Sequence, residues 1–495
     1  MKPIQVGLLG IGTVGSGTFN VLERNQDEIR RRAGRGIEIT MVADLDTERA
    51  KSVVGDKAKV VGDAREIIAT PEIDVVVELI GGYGIAKALV LEAIAAGKHV
   101  VTANKALLAV HGSEIFKAAA EKGVIVAYEA AVAGGIPIIK ALREGLTANS
   151  IQWVAGIING TTNFILSEMR DKGLDFDVVL KEAQRLGYAE ADPTFDIEGV
   201  DAAHKATLMS AFAFGIPVQF DKAHVEGITK LSAADIKYAE QLGYRIKLLG
   251  ITKRTDKGIE LRVHPSLVPS KRLIANVEGA MNAVVVHGDA VGTTLYYGKG
   301  AGSEPTASAV IADLVDIARL QGADAAHRVP PLAFQSHTLR EAGKDLPVLP
   351  MSEVVTSYYL RISVSDEAGV LAKITGILAN TGISIDAVLQ REIPGVRLVN
   401  FGHLGDGNLH YNVQVPEGED GKQFLRDKEA LVNHLVYEAV AAFDGSFSAE
   451  HGVGALKVDK LEKYQSPVAL QMMHAIKNAL DPQGIMNPGV VLARG

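Results

Sequence analysis

Three groupings in this 495-residue chain carry groups able to do chemistry. The first is a glycine triplet, Gly10-x-Gly12-x-x-Gly15, with Thr13 and Val14 inside it. The second is a pair of lysines, Lys105 and Lys205, the latter one helical turn after Asp201. The third is FGHLGDGNLHYNV, from Phe401 to Val413, where His403 and His410 flank a Gly-Asp-Gly-Asn turn. There is no cysteine. Disulfides, thiolate metal sites and a cysteine nucleophile are excluded, so catalysis must use lysine, histidine, carboxylates or a cofactor.

Each grouping has a chemical and a bland reading. The first glycine of the triplet permits a tight turn, the second lets amides approach a pyrophosphate, and the third lets helix and strand pack closely. Alone, such triplets occur in many loops. A free lysine near pKa ~10.4 is a poor base, but burial or a second ammonium lowers it toward usefulness. Lys105 follows the C-terminal end of a strand-like segment, where open α/β sheets bind ligands. Asp201 and Lys205 share a helix face at i, i+4 spacing, which by itself reads as a surface ion pair.

The elements around the triplet settle its context. IQVGLLGIGTVGSGT gives strand, turn and helix. Strand-like segments follow at Thr40 to Asp46, Asp74 to Gly81, Lys98 to Lys105 and Gly123 to Ala130, alternating with helical patterns such as AKALVLEAIAAG. The fold class expected is α/β, beginning with a doubly wound Rossmann-type sheet. Asp44, near the end of the second strand, would accept hydrogen bonds from ribose hydroxyls and repel a 2′-phosphate, favouring NAD over NADP. Arg49 is close enough to swing in, and Asp44 or Asp46 also suits a plain turn.

Length implies about three units. The 51 basic and 59 acidic residues give a net charge of −8, with the basic residues scattered, so neither nucleic acid nor an anionic membrane is an expected partner. No apolar run reaches ~18 residues. The N-terminus, MKPIQVGLLGIG, runs into a strand without a charged leader, and the expectation is a cytoplasmic protein.

VELIGGYGIAKALVLEAIAAGKHVVTANKALLAVHG, YEAAVAGGIPIIKAL, INGTTNFILSEM and GYAEADPTFDIEGVDAAHKATLMSAFAFG closely resemble homoserine dehydrogenase. The resemblance covers roughly residues 1 to 345. It implies NAD(P)-dependent interconversion of L-homoserine and L-aspartate 4-semialdehyde, the branch step toward threonine and methionine. By position it implies Lys205 as the principal proton-transfer residue, Lys105 polarising the hydroxyl and lying beside the cofactor, and Asp201 orienting Lys205. Glu190 and Asp196 would hold the substrate ammonium. Asn159, Gly160 and Thr161 would meet the substrate carboxylate, although Asn159 equally suits a helix cap. Gly81 and Gly302 join the glycine triplet and Asp44 as cofactor contacts. Glu129, Val132 and Gly134 would hold a sodium-like monovalent cation. A homodimer or larger homo-oligomer is expected. The implied organisation is a Rossmann domain over 1–130, closed by a returning segment at about 300–340, and an α+β substrate domain over 131–340.

The tail changes character. TSYYLRISVSDEAGVLAKITGILANTGISIDAVLQRE resembles the first half of an ACT regulatory domain, over 354–393, with strand, helix and strand expected. In this family an ACT domain suggests threonine feedback. From about Pro394, VRLVNFGHLGDGNLHYNVQV, GSFSAEHGVGALK and AIKNALDPQGIMNPGVVL resemble the C-terminal end of FAD-linked oxidases of D-2-hydroxy acids. There, positions matching His403, His410 and Glu450 ligate a divalent metal, and His451 acts near the flavin. No segment resembles the FAD-binding domain of those oxidases, so FAD is not an expected cofactor and the histidine set reads as a relic. The junction at 391–397 is expected to join two ferredoxin-like halves into a hybrid sheet.

Overall fold

The computed structural model describes residues 2–320, 346–364, 369–389, 397–403, 408–414, 420–442, 453–454 and 457–492. The chain divides into two units, Met1–Arg361 and Ile362–Gly495.

The first unit opens with six parallel strands: β1 (Ile4–Leu9), β2 (Ile37–Ala43), β3 (Lys59–Val61), β4 (Val75–Glu78), β5 (His99–Thr102) and β6 (Val126–Ala127). Their order is β3-β2-β1-β4-β5-β6. Strands β4 and β5 are buried throughout, as parallel strands covered on both faces must be. The second strand begins at Ile37 rather than Thr40, because Ile37 and Ile39 both turn into the core while Glu38 faces water.

Helices α1 (Thr13–Arg24), α2 (Gln26–Ala33) and α3 (Thr47–Val54) pack with Val6, Leu8, Val75 and Val77 on one face. Helices α4 (Ala64–Ala69), α5 (Gly84–Ala95) and α6 (Lys105–Lys122) cover the other, against Leu9, Met41, Val76 and Val100. After β6 the chain crosses a short helix, α7 (Ile138–Lys140), and enters the second sheet.

That sheet is built from β7 (Ile151–Ile157), β8 (His224–Val225), β9 (Tyr244–Arg254), β10 (Ile259–Pro269), β11 (Met281–Gly288), β12 (Gly292–Lys299) and β13 (Val348–Leu349). The order is β12-β11-β7-β9-β10-β13, with β8 also on β10. The long β9–β10 pair is antiparallel, with Ile259 opposite Arg254 and Pro269 opposite Tyr244. One face carries α8 (Gly160–Lys172), α9 (Phe176–Arg185), α10 (Thr194–Ile197), α11 (Val200–Phe214) and α12 (Ala233–Gln241). Helix α11 is buried from Asp201 to Phe214. A helix enclosed all round must satisfy any charge it carries internally, and α11 carries two.

Helix α13 (Ser303–Leu320) then returns to the first sheet, inserting Ala307, Val310, Leu314 and Ile317 beside Phe19 and Leu22 of α1. Gly17 allows this: a Cβ there would lie 2.4 Å from Ser303 Oγ and 2.7 Å from its carbonyl oxygen. The expected returning segment is thus a helix as far as Leu320, and the rest of it lies outside the described residues.

In the second unit, helices span Val370–Asn380, Gly421–Ala442, Val458–Tyr464 and Pro467–Leu480, and β14 (Arg397–His403) pairs antiparallel with β15 (Asn408–Gln414). The strands expected over 356–364 and 383–389 are not formed, whereas the helix between them is. Tyr358, Leu360, Ile362 and Val364 remain 52–69% exposed, since a strand's amides and its apolar face need a ladder partner. Among the described residues β14 and β15 pair only with each other. No helix among the described residues is long and apolar enough to cross a membrane.

Candidate active site

Asp201 is the hub. It lies in the first turn of α11, and its Oδ2 accepts from Lys205 Nζ at 2.7 Å and from Asn159 Nδ2 at 2.8 Å. Its Oδ1 is 2.9 Å from Lys105 Nζ. Lys205 Nζ also donates to the carbonyl oxygen of Ile158, at the end of β7, at 2.8 Å. Burial opposes the Asp201 charge, yet the two lysines outweigh it and hold the carboxyl well below the usual range. Burial pushes the Lys205 ammonium below its ordinary value; Asp201 resists, and the Lys105 charge adds to the depression. Lys105 is also penalised by burial, but Asp201, with Asp196 and Glu190 further off, holds it above the ordinary lysine value.

Asn159 is the N-cap of α8, its Oδ1 accepting from Thr162 N at 2.8 Å, and it is also part of the cluster. Of the two readings left open in the sequence, the helix cap is the one formed, and the side-chain amide is turned to two carboxylates of the protein itself. Its Nδ2 bridges Asp201 and Asp196 Oδ1, the latter at 2.7 Å. Asp196 Oδ2 accepts from Thr161 Oγ1 at 3.0 Å, while Thr161 also donates to the Tyr188 carbonyl. Glu190 is exposed, on the loop that leads into α10. Gly160 has a packing reason: a Cβ there would lie 2.8 Å from the Ala280 carbonyl oxygen.

The glycine triplet fits a dinucleotide. Gly10 has φ +93°, and a Cβ on Gly15 would lie 2.0 Å from the Gly10 carbonyl oxygen, so strand and helix touch there. Gly12 faces open space and caps α1 without any side-chain acceptor, leaving the first-turn amides of Thr13, Val14 and Gly15 for an anion, as Ser16 N already bonds to the Gly12 carbonyl at 2.9 Å. Asp44 accepts from Ile11 N at 2.7 Å and from Asp46 N at 2.9 Å, so it buttresses the glycine turn. Gly81 and Gly82 both have positive φ and open space where a side chain would be. Gly302, φ +120°, precedes α13, and Ser303 Oγ donates to the Thr13 carbonyl at 2.8 Å.

Glu129 is buried, and its carboxylate accepts from Ile139 N and Lys140 N, each at 2.9 Å, capping α7. Its own amide donates to Asp313 on α13 at 2.8 Å. Burial pushes Glu129 up to about 7. Ala133 and Gly134 follow one another in the left-handed region, and a Cβ on Gly134 would lie 2.4 Å from the Gly300 carbonyl oxygen. Val132 is fully buried. In the tail, the β-ladder sets His410 opposite Phe401 and His403 opposite Asn408. Glu450 and His451 lie outside the described residues. Among the described residues, no cluster of three or more histidines and carboxylates could hold a metal.

Two buried polar residues, His204 and Glu78, were not singled out in the sequence. His204 is buried between Phe195 and Phe220 with both ring nitrogens unpartnered, and burial pushes it down to about 4. Its signal was only its place beside Lys205. Glu78 is buried at the C-terminal end of β4, where a carboxylate after Val75-Val76-Val77 is out of character for a strand core.

Residues 10–129 match the homoserine dehydrogenase NAD-binding domain, and residues 137–315 match the homoserine dehydrogenase domain. A homoserine dehydrogenase of Pseudomonas aeruginosa is 63% identical over 392 residues, covering 79% of this chain and 89% of that protein. The chain belongs to the homoserine dehydrogenases. It is thus an oxidoreductase acting on CH–OH, with a nicotinamide dinucleotide domain. The crystal structure of a homoserine dehydrogenase from Thiobacillus denitrificans superposes with a TM-score of 0.74 at 63% identity, covering 79% of this chain and 89% of that one. A hyperthermophilic archaeal homoserine dehydrogenase in complex with NADPH has a TM-score of 0.56 at 26% identity, covering 66% of this chain and 99% of that one. The C-terminal domain of FAD linked oxidases matches residues 343–491, a span that begins ahead of the ACT-like half. The family therefore carries here a tail with a second ancestry.

Proposed function

We propose that the chain interconverts L-homoserine and L-aspartate 4-semialdehyde with NAD or NADP, using Lys205 for proton transfer and Lys105 to polarise the substrate hydroxyl. The observation that carries this reading is the Asp201 carboxylate held between two lysines, 2.7 Å from one and 2.9 Å from the other. As a neutral amine Lys205 has two N–H bonds, given to Asp201 and Ile158, and one lone pair left for the hydroxyl proton. In the reverse direction the third hydrogen of its ammonium returns to the substrate oxygen. When bound, the cofactor accepts the hydride from the alcohol carbon. Lys105, still charged, stabilises the developing alkoxide.

Asp196 and Glu190 take the substrate ammonium, and Asn159 and Thr161 hold Asp196 in place. Gly10, Gly12, Thr13, Val14, Gly15, Gly81 and Gly302 hold the dinucleotide, and Asp44, pinned by two amides, favours NAD. For the monovalent cation we keep Glu129, Val132 and Gly134, where the left-handed backbone at Ala133 and Gly134 is the kind of strain that ligand loops bear. We place the enzyme in the cytoplasm, in keeping with its lack of cysteine. We also place it in a homodimer, through the face of the second sheet where Trp153, Ile251 and Leu295 are only partly buried around a cluster to which, among the described residues, no α-helix contributes.

Purified protein given L-homoserine with NAD and, separately, NADP should accumulate reduced cofactor. A folded protein inert with both would end the proposal. The match of 343–491 to FAD linked oxidases supports a second, lesser reading of the tail as a metal- or flavin-binding relic. A colourless preparation without bound metal by elemental analysis would remove it.

A further inference from the structure

The loop after β4 and the start of α6 are joined by a buried hydrogen-bond chain that the reaction scheme has not used. Glu78 Oε1 accepts from the amides of Ile80 and Gly81, each at 2.9 Å. Glu78 Oε2 accepts from Thr102 Oγ1 at 2.6 Å. The same Thr102 hydroxyl oxygen accepts from Asn104 N at 3.0 Å. Asn104 caps α6 through Leu107 N at 3.1 Å and reaches back to the Gly82 carbonyl at 2.8 Å. The next residue is Lys105, whose ammonium meets Asp201. Glu78 and Thr102 are fully buried.

We propose that Glu78 and Thr102 are positioning residues that tie the loop Ile80–Gly82, on the cofactor side, to Lys105 on the substrate side, so that cofactor and substrate bind cooperatively. The physical ground is that neither end can shift alone. Moving Gly81 pulls on Glu78, and moving the α6 N-terminus pulls on Thr102, and every broken link would strand a buried polar group. A ligand that fixes one end lowers the ordering cost at the other, which is a coupling free energy shared by both sites. Such couplings run to roughly 5- to 150-fold in affinity. The inference rests on reading Lys105 as the residue that polarises the substrate hydroxyl.

The test uses the full chain and its dead-end pair, reduced cofactor with L-homoserine, which cannot react. Cofactor affinity is measured by fluorescence with and without L-homoserine, and kcat is measured separately, for wild type, Thr102→Val, Thr102→Ser and Glu78→Gln. Wild type should bind reduced cofactor several-fold tighter when L-homoserine is present. Thr102→Val, which removes both bonds of the hydroxyl, should bring that ratio close to 1 and lower kcat about 10-fold or more. Thr102→Ser should restore both. Should the valine variant not fold, Glu78→Gln reports the same two numbers, because its amide turns a donor toward the Thr102 hydroxyl.

A wild-type ratio of 1 would overturn the proposal. So would a variant that weakens cofactor binding while keeping the wild-type ratio and kcat, which is what a merely structural role predicts. Lys105→Met separates the underlying reading: wild-type turnover in that variant would reject Lys105 itself. A dead Lys105→Met beside an unaffected Thr102→Val would reject only the coupling.

Discussion

Lys205 stands one helical turn beyond Asp201 on α11, its ammonium nitrogen 2.7 Å from a carboxylate that is itself buried. The pair is held in common by one helix, so its geometry survives any motion of the surrounding loops. Asp201→Asn keeps the shape and removes the charge. We expect kcat for homoserine oxidation to fall by about 10²- to 10⁴-fold, the range associated with loss of a correctly held proton-transfer group. Circular dichroism should remain that of the wild type, and a variant with wild-type kcat would remove Asp201 from the site.

Lys105 sets the second prediction, a pH effect. The base must be neutral, so oxidation rises as pH rises through the Lys205 pKa. The Lys105 charge depresses that pKa, so removing it lets the pKa climb. In Lys105→Met the rising limb of the kcat profile should move to higher pH, on top of a lower plateau. A limb that stays in place would mean that another group titrates.

The third prediction contrasts two glycines one turn and a residue apart on the chain. Gly17→Ala places a methyl 2.4–2.8 Å from atoms of Ser303, two of them backbone, and should push α13 off α1 at a cost of about 1–3 kcal/mol. Gly12→Ala meets no atom within 4 Å, so its melting temperature should stay within a degree or so of wild type while the cofactor KM rises. Thermal unfolding and steady-state kinetics on the two variants read both halves.

How much of this was legible in sequence follows the range of each interaction. Asp201 with Lys205, and Gly10 with Gly15, lie within one local element, so spacing showed that each pair meets, while their roles came from the surrounding elements and the family resemblance. Asp201 with Lys105 and Glu78 with Thr102 are brought together only by strand order, which no window of residues contains. The second strand's true start at Ile37 was missed because its exposed Glu38 broke the apolar run. In the tail, TSYYLRISV alternates as a strand should, but alternation states only a face, and the sheet to pair with it is not formed among the described residues.

The fourth prediction concerns the end of the first unit. Val348–Leu349 pairs with Ile259 and Glu260, Tyr359 Oη donates to Asp235 Oδ1 at 2.9 Å, and Arg361 donates to Ser232 Oγ at 2.7 Å. Burial, and then the bond to Asp235, raise the Tyr359 hydroxyl well above its ordinary value. Limited proteolysis of the full chain should leave a resistant fragment that ends beyond Arg361. Mass spectrometry of the fragment would show it, and a stable core ending near 345 would refute it.

Those anchors carry a lesson about ancestry. By stitching residues 348–361 onto its own sheet edge and onto the start of α12, the catalytic body fastens down the first residues of the span that matches the FAD linked oxidases. Whatever is spliced on after that point inherits a handle already fastened at its near end. A lineage can then trade one appendage for another, of unrelated descent, without reopening the enzyme, and the mixed parentage of this chain is the sort of record such an exchange would leave.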